Sequence, residues 1–340
     1  VFNLKKESSQ ELLKIVELHI PYDSARKLSS AFSHLRLGDD KSWLRTSHWF
    51  GTTIKHCLTK ELNYTISNFK ENKDQQALII RGLPIDQNLC KTPYNGYVTP
   101  SKLPIISAIN IGIYQLAKIE PISYQSENDG LLFRHVVPSL KGRNNKSSHG
   151  SKHTFGHHVD NPDLPLTNEK IADKSGCPEF LSLMSLRSDL KVKSNFILVD
   201  DVLNQLSSGV IEQLSKPHFE ISRPDSFKQS VKTILPLISF DNDGVAYCRY
   251  DKENTTPFTT EAAAALVMWE AQLKNTELNN AITYQPGDFL IIKNQRLMHS
   301  REGFSPRDDG TDRWLIRLFG MSSLERIIPI NEENKHIAQD

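Results

Sequence analysis

The order of apolar runs along the chain predicts a mainly β protein with helices: a β-sandwich or jelly roll that carries a helical layer. Two observations predict it. Helix-spaced apolar residues gather at the front of the chain, and many short apolar runs separated by turn residues fill the C-terminal two thirds. With 340 residues, 38% hydrophobic and 24% charged, the chain can bury a sizeable core, and one elaborated domain is expected rather than two.

Taken in order, Leu12, Leu13, Ile15, Val16 and Leu18 recur at helical spacing between Gln10 and Leu18, and Tyr22 to Leu37 continues in the same way. These predict packing helices outside the core, and Phe50 to Phe69 predicts another. The charged stretch Lys70 to Asp74 is a solvated loop, after which Ala77 to Pro84 reads as an apolar strand ended by Gly82 and Pro84. A long loop to Pro104 suggests function by its length, and Ser101 to Ala117 reads as a helix. Leu131 to Val137 is a strand, and the Lys-, Asn- and Ser-rich segment Lys141 to Ser151 is either an active-site edge or a surface loop. Strands follow at Glu179 to Leu186 and Ser194 to Val199, then a short helix at Val210 to Leu214. Val231 to Phe240 and Val245 to Tyr250 predict a hairpin about the turn Asp241-Asn242-Asp243-Gly244. A helix begins near Thr259 with Thr260 as its cap, and short strands run to Gly320.

The formal net charge of +1 removes the electrostatic case for nucleic acid. No apolar run approaches the roughly 20 residues of a membrane span, and the first residues lack a signal-peptide core, so a cytoplasmic protein acting on a small molecule is expected. Cys57, Cys90, Cys177 and Cys248 show no ligand spacing and read as free thiols.

Chemistry concentrates between Ser147 and Pro165. His158 and Asp160 stand two residues apart, so on a strand both side chains face one way. A third ligand is available far downstream at His299, after the turn and strand Gln285 to Ile292. Two His and one carboxylate suit a non-haem Fe(II) oxygenase, because they occupy one face of the octahedron and leave positions for co-substrate and oxygen. The spacing alone is equally that of a turn His and a capping Asp. Arg313, fourteen residues after His299, adds a planar guanidinium of the kind that binds a carboxylate bidentately, and alternation places Arg313, Leu315 and Arg317 on one side of a strand.

The motifs HVD, PGDFLIIKNQRLMHSREGFSPR and GTDRWLIRLFG, with GLLFRHVVP and SSHGS upstream, together resemble the clavaminate synthase-like group of Fe(II)/2-oxoglutarate-dependent oxygenases (TauD-like). That group includes free arginine, asparagine and lysine hydroxylases. The resemblance covers roughly residues 75 to 325. It implies a double-stranded β-helix (jelly roll) core over 75–325, an N-terminal helical elaboration over 1–74 and a C-terminal tail over 326–340.

The resemblance also implies roles. His158, Asp160 and His299 correspond to the iron ligands, with neighbouring His157 facing away or supporting them. Arg313 matches the arginine that binds the 2-oxoglutarate carboxylate, and Ser194 stands where relatives often carry a co-substrate-binding Thr. Arg317 matches a substrate-carboxylate arginine, its alternative being a structural arginine paired to a local acid. Asp251 falls where relatives recognise a basic or polar substrate group, and is otherwise a hairpin-end Asp. Ser148 and His149 belong to a segment that lines the substrate pocket in relatives.

Two departures stand out: Asp160 replaces the Glu of several amino-acid hydroxylases, and Arg134, a substrate-binding candidate, replaces a usual Gln, so that either the pocket receives an acidic group there or Arg134 bonds a neighbouring carboxylate. The implied activity uses Fe(II), 2-oxoglutarate and O2 to hydroxylate a side-chain carbon of a free polar L-amino acid or close derivative, releasing succinate and CO2. Asp160 argues against halogenation, which needs a small residue there. The alternatives are a carrier-tethered aminoacyl substrate, or a non-catalytic β-sandwich that binds a sugar or peptide.

Overall fold

The computed structural model describes residues 15–139, 153–225 and 227–340. The chain opens with strand β1 (Ile15–His19) and helices α1 (Tyr22–Phe32), α2 (Asp40–Arg45), α3 (Ser47–Cys57) and α4 (Lys60–Asn68), followed by β2 (Ala77–Arg81), α5 (Pro104–Leu116), β3 (Glu120–Tyr124), β4 (Arg134–Val136) and β5 (Phe155–His158). Next come β6 (Phe180–Arg187), β7 (Ser194–Leu198), α6 (Val199–Leu203), α7 (Ser208–Leu214), β8 (Phe219–Ser222), β9 (Lys232–Leu235), β10 (Ile238–Phe240), β11 (Ala246–Cys248) and β12 (Thr255–Pro257). Helix α8 (Thr260–Gln272) and strands β13 (Asn280–Ile282), β14 (Phe289–Lys293), β15 (Leu297–Arg301), β16 (Trp314–Met321) and β17 (Ile337–Ala338) complete it.

The larger sheet runs β1-β2-β14-β6-β16-β3-β17, with β4 also paired to β16. Its central strands are buried on both faces, which is why they read as continuous apolar runs and not as alternating ones. Leu78, Ile80, Phe289, Ile291, Trp314, Ile316 and Leu318 point into a core shared with the N-terminal helices. Their alternates Ala77, Ile79, Leu290, Ile292, Leu315 and Phe319 point into a second core beneath the smaller sheet β13-β7-β15-β5. Two sheets facing each other across one core, with helices outside, make the expected jelly roll.

The helical layer is docked by close contact and by caps. A Cβ at Gly112 of α5 would lie 2.5 Å from Ile54 Cδ1 and 3.0 Å from the Phe50 backbone of α3, so glycine sets the approach of the two helices. Helix α5 begins with Pro104 at its first position, and the buried Asp86 carboxylate accepts from the Ile105 and Ile106 amides at 3.1 and 3.2 Å. That fixes the long loop onto the helix start.

Four local expectations are corrected. The expected helix at Gln10–Leu18 is strand β1 over its described part, paired in parallel with β2 from Ile15↔Ala77 to His19↔Arg81; a sheet edge needing a partner overrides helical spacing. Phe50 to Phe69 is not one helix, because Thr59 caps a new one by accepting from the Leu62 amide at 3.3 Å. Pro236 divides Val231–Phe240 into β9 and β10, since it has no amide for the ladder. The cap of α8 is Thr259, whose hydroxyl accepts from the Ala262 amide at 3.1 Å, so Thr260 is already helical. The hairpin about Asp241–Gly244 is formed by β10 and β11, with Gly244 at φ +80°. Strand β1 lies upstream of residue 75 and β17 beyond residue 325, and both extend the larger sheet.

Candidate active site

His158 ends β5 and His299 lies in the middle of the adjacent β15, where the two are paired directly across the ladder. Sequence positions 141 apart therefore become neighbours, with ring centroids 4.1 Å apart. Asp160 follows two residues after His158, where the chain leaves the sheet, and Asn161 turns it with φ +57°. The Asn294 side chain holds this turn from both sides: Oδ1 accepts the Asp160 amide at 3.0 Å, and Nδ2 donates to the Asp160 carbonyl at 3.1 Å. One carboxylate oxygen of Asp160 is 3.9 Å from His158 Nε2, and the other is 3.7 Å from His299 Nε2.

Donor chemistry fits a divalent metal. His158 Nδ1 lies 2.8 Å from the Gly156 carbonyl, which can only accept, so Nδ1 carries the proton and the Nε2 lone pair faces Asp160. Burial, then the charges of His158 and Arg317, holds His299 well below the usual imidazole range, which keeps it neutral. His299 Nδ1 is buried and meets no partner among the described residues. One atom from each of His158, Asp160 and His299 lies within 4.8 Å of the others, and among the described residues this is the one such cluster. His157 points elsewhere: its Nε2 is 3.3 Å from Ser300 Oγ, and burial lowers its pKa to about 4.

The triad opens on a cavity lined also by Phe155, Ser194, Arg301, Arg313, Leu315 and Arg317. The predicted alternation of Arg313, Leu315 and Arg317 is thus what the strand provides. Arg313 is buried, with its guanidinium 5.8 Å from the Tyr284 ring, and among the described residues no carboxylate lies within ion-pair distance of it. Burial alone holds its pKa down, opposed by Tyr284 and Asp189. A buried cation facing an open space without a counter-ion is a site shaped for an anion.

Arg317 has a different environment. Its Nη2 bonds Glu127 Oε1, its Nη1 lies 3.5 Å from Asp160 Oδ1, and its guanidinium stacks 4.0 Å from the Phe319 ring. Arg134, directly across the ladder from Arg317, donates from Nη1 to the same Glu127 Oε1 at 2.7 Å. Asn161 Nδ2 reaches Glu127 Oε2 at 3.3 Å. A row of alternating charge, Arg134, Glu127, Arg317 and Asp160, thus runs from β4 to the triad, with Arg134 behind Arg317 and outside the cavity lining. Asp251 sits beside His158 through an isolated bridge. Its carboxylate caps its own turn, accepting from the Glu253 amide at 2.9 Å and Asn254 Nδ2 at 2.8 Å, and burial raises its pKa against the pull of His158. Ser148 and His149 lie outside the described residues.

Sequence reasoning did not single out Glu127, Asn294 or Arg301. Glu127 sits in a polar loop with no periodicity. Asn294 and Arg301 lie inside the quoted downstream motif, where their placement beside His299 was the available signal.

Residues 196–319 match the model of the family "Taurine catabolism dioxygenase TauD, TfdA family". The chain is 27% identical over 299 residues to L-asparagine oxygenase of Streptomyces coelicolor, covering 85% of this chain and 83% of that protein. It is 25% identical over 253 residues to L-lysine 3-hydroxylase of Catenulispora acidiphila, covering 71% of this chain and 66% of the relative. In structure it is similar to asparagine oxygenase solved with Fe(II), 3-hydroxyasparagine and succinate, at TM-score 0.80 and 22% identity over 95% of this chain and 99% of that one. The non-heme iron oxygenase OrfP, solved with Fe and α-ketoglutaric acid, superposes at TM-score 0.78 and 23% identity over 95% of this chain and 99% of that one. Residues 196–319 are thus similar to the TauD/TfdA dioxygenase family, and the chain has the fold of the solved asparagine oxygenase and OrfP.

Proposed function

We propose that the protein hydroxylates a side-chain carbon of a free polar L-amino acid, or a close derivative, using Fe(II), 2-oxoglutarate and O2. The observation that carries this reading is the His158–Asp160–His299 cluster opening on the same cavity as Arg313, a buried guanidinium without a carboxylate partner among the described residues. The naming of similar proteins as amino-acid oxygenases supports the substrate class.

In this reading His158, Asp160 and His299 hold the iron, and Arg313 with Ser194 holds the distal carboxylate of 2-oxoglutarate. When bound, the metal and co-substrate supply the oxidation: one oxygen atom of O2 enters the substrate C–H bond and the other enters succinate, with loss of CO2. The chain's own residues position and exclude. Phe155, lying 3.8 Å from the His158 ring, and Leu315 keep the wall apolar, while Arg317, held by Glu127, presents its Nη1 edge for the substrate carboxylate. Because Arg134 is engaged by Glu127, its charge is spent away from the cavity, which supports a basic or amide side chain over an acidic one. Asp251, bridged to His158, is a candidate for a basic or polar substrate group, although its carboxylate is engaged by its own turn and it does not line the cavity. Ser148 and His149 remain candidates for the substrate edge. A cytoplasmic setting goes with this reading, supported by four cysteines that form no disulfide; among the described residues no helix is long and apolar enough to cross a membrane.

The test is a screen of free L-amino acids with Fe(II), 2-oxoglutarate and O2, reading succinate release and product mass. A gain of one oxygen on a polar amino acid is the expected result. Succinate with no modified amino acid in the panel rejects the substrate class, and no succinate under any condition rejects the chemistry.

A further inference from the structure

We infer that the outer face of α8 is a self-association surface: two copies of this chain pair antiparallel through Ala264, Val267, Met268 and Ala271, about a two-fold axis level with the midpoint between Val267 and Met268.

From Ala262 to Trp269 the helix is apolar at every position. Only one side of that run is used inside the protein: Ala262, Ala265, Leu266 and Trp269 are buried, with α7 and β12 as neighbours. Ala264, Val267, Met268 and Ala271 are exposed, Val267 by 66% and Met268 by 47%. They recur at i, i+3, i+4 and i+7, which is one helix face. A surface helix carries polar residues on its outer side, whereas a helix that is apolar all round is buried all round. The Glu270 carboxylate does not solvate this face, because it is taken up by the Tyr250 hydroxyl at 3.0 Å and Lys252 Nζ at 3.2 Å.

The ends of the face indicate what covers it. Glu261 in the first turn and Lys274 just past the last are exposed, and neither has an ion-pair partner among the described residues. They are equally far from the midpoint between Val267 and Met268, as are Ala264 and Ala271. An antiparallel copy therefore brings Glu261 level with Lys274 at each end, Ala264 onto Ala271, and Val267 and Met268 beside their own counterparts. A parallel copy sets Glu261 level with Glu261 and Lys274 level with Lys274, and aligns the two helix dipoles. Charge and dipole both select the antiparallel pair, which is closed by its two-fold axis.

Alanine on either side of the centre lets the helix axes approach, while Val267 and Met268 supply apolar area. A helix of 13 residues is roughly 20 Å long, so the contact lies near the lower limit of specific interfaces, about 1,000 Å2 in total. The dimer is accordingly reversible, with Kd of about 1–100 µM. None of these residues lines the cavity beside His299, so pairing leaves that cavity open.

Sedimentation velocity of the full chain over about 1–200 µM, a span that brackets this Kd, tests the pairing. The wild-type chain, 38.7 kDa as a monomer, should pass from monomer to dimer as concentration rises. Val267→Glu and, separately, Met268→Glu should weaken the dimer by about ten-fold or more, since each sets two carboxylates together in the apolar centre. Both positions face solvent in the single chain, so circular dichroism should be unchanged; if Val267→Glu does not fold, Met268→Glu decides. Lys274→Glu should weaken the dimer by a few-fold, and adding Glu261→Lys to it should restore association, which a parallel pair would not show. A chain that stays monomeric throughout, a dimer indifferent to both central substitutions, or one that Lys274→Glu leaves unchanged overturns the assignment.

Discussion

His299→Ala and, separately, His158→Ala are expected to abolish Fe(II)-dependent succinate formation while the protein stays folded. Each removes one of three donors that meet where β5 and β15 pair, and two donors do not hold a divalent ion against water at the same affinity. The fold should survive because the apolar cores on either side of the larger sheet do not include these rings. A loss of one or two kcal/mol from the missing ring stacking would lower Tm by only several degrees in a chain of this size. Near-wild-type turnover in either variant rejects the ligand assignment. A collapse of the thermal transition would instead make the rings structural, and circular dichroism distinguishes the two.

The second large effect is at Arg313. Arg313→Ala should raise the 2-oxoglutarate requirement far more than Arg317→Ala does. Loss of a charge-assisted bond is worth about 1.5–3 kcal/mol, or roughly ten- to 150-fold in affinity, and the burial of Arg313 places it at the upper end. Arg317 already has Glu127 and lies near Asp160, so its removal should be felt first by the amino-acid substrate and by the neighbours it leaves. Titrating 2-oxoglutarate at saturating amino acid checks the ranking, and the reverse order would move the co-substrate role to Arg317.

How much of this was legible in the sequence depended on whether the signal was local. The alternation of Arg313, Leu315 and Arg317, the spacing of His158 and Asp160, and the apolar runs of β6 and β14 are properties of a few consecutive residues, and the structure has them as read. Strand β1 was misread because Leu12 to Leu18 satisfies helical spacing, and only the exposed edge of β2, sixty residues on, makes an extended partner the better solution. The environment of Arg134 was illegible for the same reason. Its partner Glu127 lies in a loop seven residues upstream, and the residue that completes the arrangement, Arg317, is 183 positions away and reached only through the ladder of β4 and β16.

The shared oxygen of Glu127 has a consequence for the order in which this pocket can change. With Arg134 and Arg317 both on Oε1, replacing Arg134 by Gln leaves one buried acid facing one buried base, a balanced pair. Replacing Glu127 first removes the acid that Arg134 and Arg317 share and leaves Arg317 with Asp160 at 3.5 Å, and breaking a buried pair in this way costs about 3–5 kcal/mol, a large share of the margin by which a domain stays folded. The two substitutions are therefore epistatic, and the less costly path between the pocket with Gln at 134 and the pocket with Arg at 134 has the acid in place before the second base arrives and removes it after that base has gone. A lineage, or a directed-evolution campaign, that samples single changes will find Glu127 harder to replace while Arg134 is present than once it is gone.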